Sequence, residues 1–421
     1  MADFWLSLTS TLRTGGWLTA ERARNYSAIL LTVCVVALTA WIAMSDRMVD
    51  PNGKPIGTDF SNTYAAGTLA WAGRPADAYV PTLQHAAEKV VFDGRDVPFY
   101  GWHYPPFFFA VAIIVAAVPY AWGLLIWLGL SLAAYLAVLR AIIPCPETLT
   151  QTWPRTWLIT LAFPGVFVNI GHGQNGFLTA ALLGGALQLM DRRPWIAGAL
   201  IGMLAYKPQF GVLIPIALLA AERWSTIVAA VITVAALALA SFAVMGTKIW
   251  QAFLDSTAFT QSVVLEQGGT GWEKIQSIFA CLRAWDFGIH SAYAAQISLA
   301  LVLAIGIAWL WRNEAAFELK ASALATASLL ATPYVLDYDM VVLAISIAFF
   351  GRHGLARGFR PYEITILAAA WAVPLISRSV AGATLIPLGL IAMLALYVVT
   401  LRRAAFDLGH VSPATRNFAQ A

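Results

Sequence analysis

Short polar segments interrupt a strongly apolar chain, and their side chains are the ones that could do chemistry. Asp59 offers a carboxylate at the start of a helix-compatible stretch, residues 60–72. An Asp there is either a reactive group near the bilayer boundary or an ordinary N-cap, and the sequence leaves both readings open. Lys207 lies between two short apolar runs and is followed by Pro208 and Gln209. An ionisable residue so placed is a functional candidate that could bind a lipid-linked phosphate, unless it only snorkels to the interface.

A glycine-rich break at residues 171–176 contains His172, Gln174 and Asn175 between two apolar runs. Polar, irregular backbone at membrane depth is tolerated only where it is buried in protein or lines a cavity. A plain hairpin turn favours Asn and Gly but rarely adds both His and Gln. The composition therefore favours a site over a simple turn.

Two further segments carry titratable groups. Asp337 and Asp339 lie two residues apart at a helix junction, where they could bind sugar hydroxyls, a cation or an arginine from elsewhere in the chain. One of the two is expected to cap the helix that follows. His103 marks the entry to the next apolar run, where it is either a ligand-side group or an interfacial histidine, and its position favours the interfacial interpretation.

The elements that must position these groups are membrane helices. Of 421 residues, 60% are hydrophobic and 11% charged, whereas soluble proteins carry about 25% charged residues. Most of the surface must therefore face lipid, and we predict an all-α polytopic membrane protein with 11–13 transmembrane helices. The charge-free runs that approach the roughly 20 residues of a spanning helix are residues 26–44, 121–139, 225–245, 291–311 and 382–401. Shorter apolar runs are residues 155–170, 177–190, 195–206, 210–221, 319–331, 340–350 and 362–376.

The distribution of Lys and Arg predicts the sidedness, because both favour short cytoplasmic loops. Arg22 and Arg24 precede the first span, which places the N-terminus inside. The chain then forms one domain with a first extracytoplasmic loop at residues 45–104, a second at 246–288 and a cytoplasmic tail at 402–421. The first loop should contain two short surface helices, at residues 60–72 and 83–91. Residues 105–170 do not fit this sidedness. If both apolar runs that end near Arg140 crossed the membrane, that residue would lie outside, whereas arginine favours the inside. One run in this range is therefore expected to be re-entrant or half-crossing.

Other composition features exclude some classes of protein. No basic stripe interleaved with aromatic residues is present, so we predict no nucleic-acid partner. The 17 tryptophans fit aromatic belts at the two membrane interfaces. Cys34, Cys145 and Cys281 are isolated, with no metal-ligand spacing and no disulfide framework. We therefore predict neither a metal nor another cofactor.

The order and spacing of five motifs resemble glycosyltransferase family 87, membrane enzymes of the GT-C superfamily. The motifs are Gly57-Thr58-Asp59-Phe60 with Tyr64, His103-Tyr104-Pro105-Pro106, Gly171-His172-Gly173-Gln174-Asn175, Lys207-Pro208-Gln209 and Asp337-Tyr338-Asp339. The resemblance covers residues 46–403, although the second long loop fits only loosely. Members are similar to polyprenyl-phosphate-mannose-dependent mannosyltransferases of the bacterial cell envelope, which implies a GT-C-like bundle in the bacterial inner membrane.

The resemblance also implies a reaction and roles for the residues. A hexose, mannose in such relatives, would move from a polyprenyl-phosphate donor to a glycolipid or polysaccharide acceptor on the extracytoplasmic side, with inversion. The roles it implies are general base for Asp59, binding of the donor phosphate for Lys207 and His172, and substrate binding for Gln174, Asn175, Gln209, Asp337, Asp339, Tyr64 and His103. Neither a metal nor a cofactor is implied.

Three alternatives remain at this level. A transporter or flippase would need polar residues near the midplane and often two related halves, whereas the polar segments here gather at one face and no repeat is evident. A structural subunit would leave Lys207 and the break at residues 171–176 without a role. A polyprenyl-linked ligase would also meet a lipid phosphate outside.

Overall fold

The computed structural model of the chain describes residues 9–143 and 153–410. Within these ranges the protein is helical, with three isolated β-bridges and no strand. This confirms the prediction of an all-α polytopic membrane protein. Cys145 and residues 411–421 of the predicted tail lie outside the described residues.

The α-helices from residue 20 onward are numbered in chain order. They are α1 (Ala20–Ala43), α2 (Phe60–Trp71), α3 (Pro81–Val91), α4 (Phe109–Val115), α5 (Tyr120–Ile142), α6 (Trp153–Leu161), α7 (Pro164–His172), α8 (Gly176–Leu189), α9 (Pro194–Met203), α10 (Ile214–Ala220), α11 (Trp224–Met245), α12 (Thr247–Phe259), α13 (Ile278–Ala284), α14 (Ile289–Arg312), α15 (Phe317–Leu330), α16 (Leu343–Arg357), α17 (Glu363–Ala372), α18 (Ser377–Thr384) and α19 (Leu388–Gly409). Short 3₁₀ segments are Pro75–Tyr79, Pro106–Phe108, Leu204–Tyr206, Pro208–Gly211, Trp272–Lys274, Asp337–Val342 and Val373–Leu375, and Thr260–Glu266 is a π-helix.

Six helical segments of the described chain are long and apolar enough to cross a membrane. They are Ala20–Ala43, Tyr120–Ile142, Trp224–Met245, Ile289–Arg312, Asp337–Arg357 and Leu388–Gly409. Glu363–Leu375 and Ser377–Thr384 pass the same test only as a pair, bent by 74°. Shorter apolar helical segments are Pro106–Val115, Gly176–Leu189, Pro194–Tyr206 and Pro208–Ala220. By length and composition the described residues therefore contain six candidate spans, or seven when the bent pair is counted as one, and the prediction of 11–13 is reached only by adding the shorter helices.

One predicted span, residues 382–401, is wrong as a continuous helix. Helix α18 ends at Thr384, and Leu385 has φ +60°, the left-handed region that terminates helices. Pro387 then precedes α19, which continues past Arg402 to Gly409. The apolar run therefore contains a break, and the first residues of the predicted tail are helical.

The first loop folds onto a short apolar segment instead of standing free in solvent. Both predicted surface helices are present, as α2 and α3. Gly67 of α2 lies so close to α4 that a Cβ there would come within 2.1 Å of the Ala112 carbonyl oxygen. The Trp71 indole N–H donates to the Ile113 carbonyl at 3.0 Å, and the Tyr64 hydroxyl donates to the Val118 carbonyl at 2.8 Å. These contacts fix α2 against the start of the bundle.

The short segment Pro106–Val115 bears on the conflict in residues 105–170. Ten helical residues rise about 15 Å, which is half of a hydrocarbon core of about 30 Å. The 23-residue helix α5 that follows is long enough to cross alone. By its length Pro106–Val115 is a candidate for the half-crossing run predicted in this region, which stays a prediction.

The second loop, residues 246–288, is also mostly helical, through α12, the π-helix and α13. Ile275 forms an isolated antiparallel bridge with Leu336. The backbone N–H of Gln276 donates to the Val335 carbonyl at 2.8 Å, and Ser277 Oγ donates to the Pro333 carbonyl at 2.7 Å. These bonds place the second loop beside the segment that carries Asp337 and Asp339.

Candidate active site

Asp59 lies at the N-terminal end of α2, and its carboxylate does not cap that helix. Its backbone is helical and its side chain makes no capping hydrogen bond. The backbone N–H of Asp59 donates to the His172 carbonyl at 2.8 Å, which ties the first loop to the end of α7. Gln174 Nε2 donates to Asp59 Oδ2 at 3.1 Å. Of the two readings of Asp59, the geometry disfavours the side-chain cap.

The glycine-rich break forms a tight turn between α7 and α8. Helix α7 ends at His172, and Gly173 adopts φ +62°. A Cβ at Gly173 would lie 2.7 Å from Phe60 Cβ, so glycine is required both for the conformation and for the approach of α2. The Asn169 side chain stabilises the turn through two hydrogen bonds. Its Nδ2 donates to the Gln174 carbonyl at 3.0 Å, and its Oδ1 accepts from the Gly176 N–H at 2.9 Å.

Tyr104 joins the two amide side chains of this turn. Its hydroxyl donates to Gln174 Oε1 at 3.2 Å and accepts from Asn175 Nδ2 at 2.7 Å. Gln174 Oε1 also accepts from the Asn175 backbone N–H at 2.7 Å. A continuous hydrogen-bonded chain therefore runs from Asp59 through Gln174 and Tyr104 to Asn175. Tyr104 was not among the predicted site residues, although its position beside His103 in a motif could have indicated it.

His172, whose carbonyl accepts from the Asp59 N–H, has its own side-chain contacts. Its Nδ1 contacts the Val168 carbonyl at 2.9 Å, and because a carbonyl can only accept, that nitrogen carries the hydrogen. In the neutral ring Nε2 is then an acceptor. The imidazole packs against the Tyr338 ring at a centroid distance of 5.4 Å. His172 thus connects the turn to the segment that carries the two later aspartates.

Burial raises the pKa of the Asp59 carboxyl above its ordinary value. Electrostatic interactions with His172, Lys274 and Lys207 and the hydrogen bond from Gln174 offset part of this rise in pKa. Asp59 is only half-buried in surface terms. A carboxylate with a raised pKa and an accessible edge is suited to accept a proton.

Lys207 is committed to a buried ion pair. Its Nζ lies 2.8 Å from Asp339 Oδ1, and the two side chains are 7% and 2% exposed. The ammonium also faces the rings of Phe210 and Tyr338 at 5.5 and 5.3 Å. Asp339 Oδ2 accepts from the Leu336 N–H at 3.1 Å, so this carboxylate is the one that caps the 3₁₀ turn. Removal of one partner of such a pair typically costs about 3–5 kcal/mol of folding free energy.

Asp337 has a different set of partners from Asp339. Its Oδ1 accepts from the Tyr338 N–H at 2.9 Å, and its Oδ2 lies 3.8 Å from Arg378 Nη1. Arg378 is the second residue of α18. Of the partners that the sequence left open for this carboxylate, the structure supplies the arginine. Arg378 and Lys274 are site cations that the sequence reasoning did not single out.

Three predicted substrate-binding residues make no contact with the Asp59 cluster. Tyr64 packs between Phe60 and Tyr120 and bonds to backbone. His103 Nδ1 lies 2.8 Å from Thr260 Oγ1 in the second loop, and burial lowers the pKa of this histidine to about 4. Gln209 is half-buried and has no side-chain hydrogen bond to any described residue. In residues 9–143 and 153–410, no group of three or more His, Cys, Asp or Glu side chains is placed to share a metal ion.

A comparison with protein-family models gives one match that bears on this site. The model described as glycosyltransferase family 87 matches residues 102–333, more than half of the chain. The matched range contains His103, the turn at residues 171–176, Lys207 and Lys274, whereas Asp59 and Asp337 lie outside it. No curated protein and no solved structure matches the chain.

Proposed function

Because the chain belongs to glycosyltransferase family 87 and is a membrane glycosyltransferase, we propose that it transfers a hexose from a polyprenyl-phosphate donor to an envelope acceptor. The proposed hexose is mannose, and the proposed transfer inverts the configuration at the anomeric carbon. The donor class and the sugar come from the resemblance of the five motifs to polyprenyl-phosphate-mannose-dependent enzymes. The acceptor is a glycolipid or a polysaccharide. The reaction takes place at the extracytoplasmic face of a bacterial inner membrane, with the N-terminus in the cytoplasm.

The observation that carries this proposal is the environment of the Asp59 carboxylate. It caps no helix, it is half-buried, and Gln174 holds one of its oxygens at 3.1 Å. Electrostatic interactions reach it from three other segments, through the ammonium groups of Lys207 and Lys274 and the imidazole of His172. A carboxylate beside a group of cations fits a reaction in which one group takes a proton while negative charge grows nearby.

The proposed step is a single displacement. The acceptor hydroxyl oxygen attacks the anomeric carbon, and its proton passes to the Asp59 carboxylate. The bond from the anomeric carbon to the phosphate oxygen breaks, and its electron pair leaves with that oxygen. The donor phosphodiester, with one negative charge, becomes a polyprenyl phosphate monoester with up to two. Preorganised cations stabilise that growing charge because they need no rearrangement as the bond breaks.

The amide groups of the turn suit the sugar part of the donor. Gln174 and Asn175 are held in place by Tyr104. The Asn175 Oδ1 atom is buried and accepts no hydrogen bond from a described residue. An unpaired buried acceptor is costly, and a sugar hydroxyl would satisfy it. We assign the sugar to this part of the cluster.

A transfer assay on purified protein in liposomes tests the proposal. With sugar-labelled polyprenyl-phosphate mannose and a membrane glycolipid fraction as acceptor, wild type transfers label. Asp59→Asn lowers the rate by about 10² or more, the usual contribution of a general base, without loss of donor binding. Asp96→Asn is the matched control, because it makes the same change at a 91% exposed position of the same loop.

Three other outcomes would contradict parts of the proposal. Equal turnover by wild type and Asp59→Asn would leave the enzyme class intact and remove Asp59 as the base. Donor binding without transfer or hydrolysis would reject mannose or the acceptor. Movement of the intact donor across the bilayer, with its sugar–phosphate bond unbroken, would instead favour a flippase.

A further inference from the structure

Two cations beside Asp59 and Asp337 are much less neutralised by the protein than Lys207 is. Building on the proposed function, we infer that Lys274 and Arg378 bind the phosphate of the donor, and that the Lys207–Asp339 pair holds the site together without contacting that phosphate. The inference replaces the assignment of Lys207 that the sequence favoured. It rests on the partners, the exposure and the placement of the three cations.

Lys207 is poorly available to a ligand. Its ammonium already has a carboxylate partner at 2.8 Å, and both side chains are almost fully buried. A phosphate would have to displace Asp339, which also accepts the Leu336 N–H that fixes the 3₁₀ turn. In a buried, low-dielectric setting such a fully bonded pair is not easily opened.

Lys274, in contrast to Lys207, is available to a ligand. It is half-buried and makes no ion pair or side-chain hydrogen bond with the rest of the described chain. Its position is nevertheless defined, because Ile275 and Gln276 directly after it are joined to Leu336 and Val335. The charge of Lys274 helps to offset the raised pKa of Asp59, so the ammonium lies within electrostatic reach of the general base.

Arg378 approaches from another segment. Its Nη1 is 3.8 Å from Asp337 Oδ2, too far for a hydrogen bond, and its side chain is 43% exposed. Helix α18, which carries it, is set at 74° to the preceding Glu363–Leu375 segment. A guanidinium group offers several donors in a planar fork that matches phosphate oxygens. Asp337 acts here as a loose counterion that a phosphate can supplement without breaking a hydrogen bond.

The charges of the two cations fit the reaction. The donor phosphate carries one negative charge, and the leaving phosphate carries up to two. Lys274 and Arg378 supply two positive charges that no hydrogen-bonded carboxylate of the described chain neutralises. They come from the second loop and from the bent segment, so both must be in place around the donor before transfer.

Binding of a sugar-free lipid phosphate tests the inference. The probe is a radiolabelled short-chain polyprenyl phosphate, and the uncharged polyprenol of the same length reports the lipid contacts and the fold. Wild type in nanodiscs should bind the phosphate more tightly than the alcohol. Lys274→Ala and Arg378→Ala should each weaken phosphate binding by about tenfold or more and leave polyprenol binding unchanged. Lys274→Arg should restore most of the affinity for the phosphate.

Two controls separate the cations. The double variant Lys207→Met with Asp339→Asn removes the buried pair without leaving an unpaired charge, and any loss of affinity in it should be the same for the phosphate and the polyprenol. Lys248→Ala removes one positive charge from an exposed position of the same loop and should also have no effect.

The possible failures point to different conclusions. Loss of phosphate binding in the double variant, with normal binding in Lys274→Ala and Arg378→Ala, would return the role to Lys207 and overturn this inference alone. Equal affinity of wild type for the phosphate and the alcohol would overturn the lipid-phosphate donor itself, and this inference with it.

Discussion

At the scale of single residues, the contact between Asp59 and Gln174 controls how the candidate base behaves. Burial raises the pKa of Asp59, and the hydrogen bond from Gln174 stabilises the charged form. The two effects oppose each other: burial favours the neutral carboxyl, and the hydrogen bond from Gln174 favours the carboxylate. This balance depends on an amide whose other end is held by Tyr104.

The pH dependence of transfer should report this balance. The base must be ionised to act, so activity is lost as pH falls through the pKa of Asp59. Because that pKa is raised, the acid limb of kcat/KM should have its midpoint above the ordinary aspartate value of about 3.9. Gln174→Met removes the hydrogen bond to the carboxylate and should move the midpoint to still higher pH.

Rates of transfer measured across a pH series for both proteins give the two midpoints. Asp96→Asn, a change at a 91% exposed side chain, should keep the wild-type profile. The same midpoint in wild type and Gln174→Met would contradict the assigned contact, and a midpoint near the ordinary value would contradict the raised pKa.

At the scale of elements, the turn between α7 and α8 decides whether the site forms. It brings the His172 carbonyl to the Asp59 N–H and aims Gln174 at the Asp59 carboxylate. Gly173 makes this possible through its left-handed conformation and its contact with Phe60. The helix N-terminus of α2 and the C-terminus of α7 are therefore joined at a position that has no room for a side chain.

Gly173→Ala should damage the site far more than the same change nearby. The new methyl group combines an unfavourable φ with a 2.7 Å approach to Phe60, which together cost about 1–3 kcal/mol. Gly171→Ala is the control, because its Cβ would meet nothing within 4 Å. Thermal unfolding in detergent should show a lower midpoint for Gly173→Ala only, with a loss of transfer activity. Equal midpoints for the two variants would contradict the described turn.

At the scale of the whole molecule, a charged network outside the candidate site is neutralised within the protein, whereas two cations of the site are neutralised only in part. A network away from the candidate site joins Arg403 to Glu363 and Asp407, and His353 to Asp407. Arg403 and Glu363 are buried and directly bonded, so this network fixes α16, α17 and α19 together. At the candidate site, by contrast, Lys274 has no ion pair in the described chain, and Arg378 lies 3.8 Å from Asp337 without a hydrogen bond. Full neutralisation suits a structural contact, and partial neutralisation suits a site that receives an anion.

Labelling of single cysteines tests the proposed sidedness. In a variant whose three natural cysteines are replaced by alanine, Ala86→Cys on α3 should react with a membrane-impermeant maleimide added to intact cells. Ala356→Cys on α16 should react only after permeabilisation. Both alanines are exposed helical positions, so the pair differs in side of the membrane and not in local structure. Labelling of Ala356→Cys and not Ala86→Cys in intact cells would invert the proposed topology.

Much of the fold depends on contiguous stretches of sequence and could therefore be predicted from the sequence. Apolar runs are contiguous, so the long helices α1, α5, α11 and α14 were expected within a few residues. The break at Leu385 was missed because a left-handed residue within an apolar run leaves no compositional signal, apart from the proline two positions later. A half-crossing segment was expected from charge, and only the structure shows that Pro106–Val115 is short and that α4 packs against α2.

The candidate site, like the fold, was only partly predictable from the sequence. By itself the sequence determined the membrane class, the family and the segments that carry polar groups, because these depend on composition and on the order of motifs. Only the tertiary structure decided which groups meet. Gln174 reaches Asp59 across 115 positions and Lys207 reaches Asp339 across 132. Arg378 comes to the site on the bent helical segment, and Lys274 comes to it in the second loop. Such partners depend on how helices pack in three dimensions, and no local pattern along the chain records that packing.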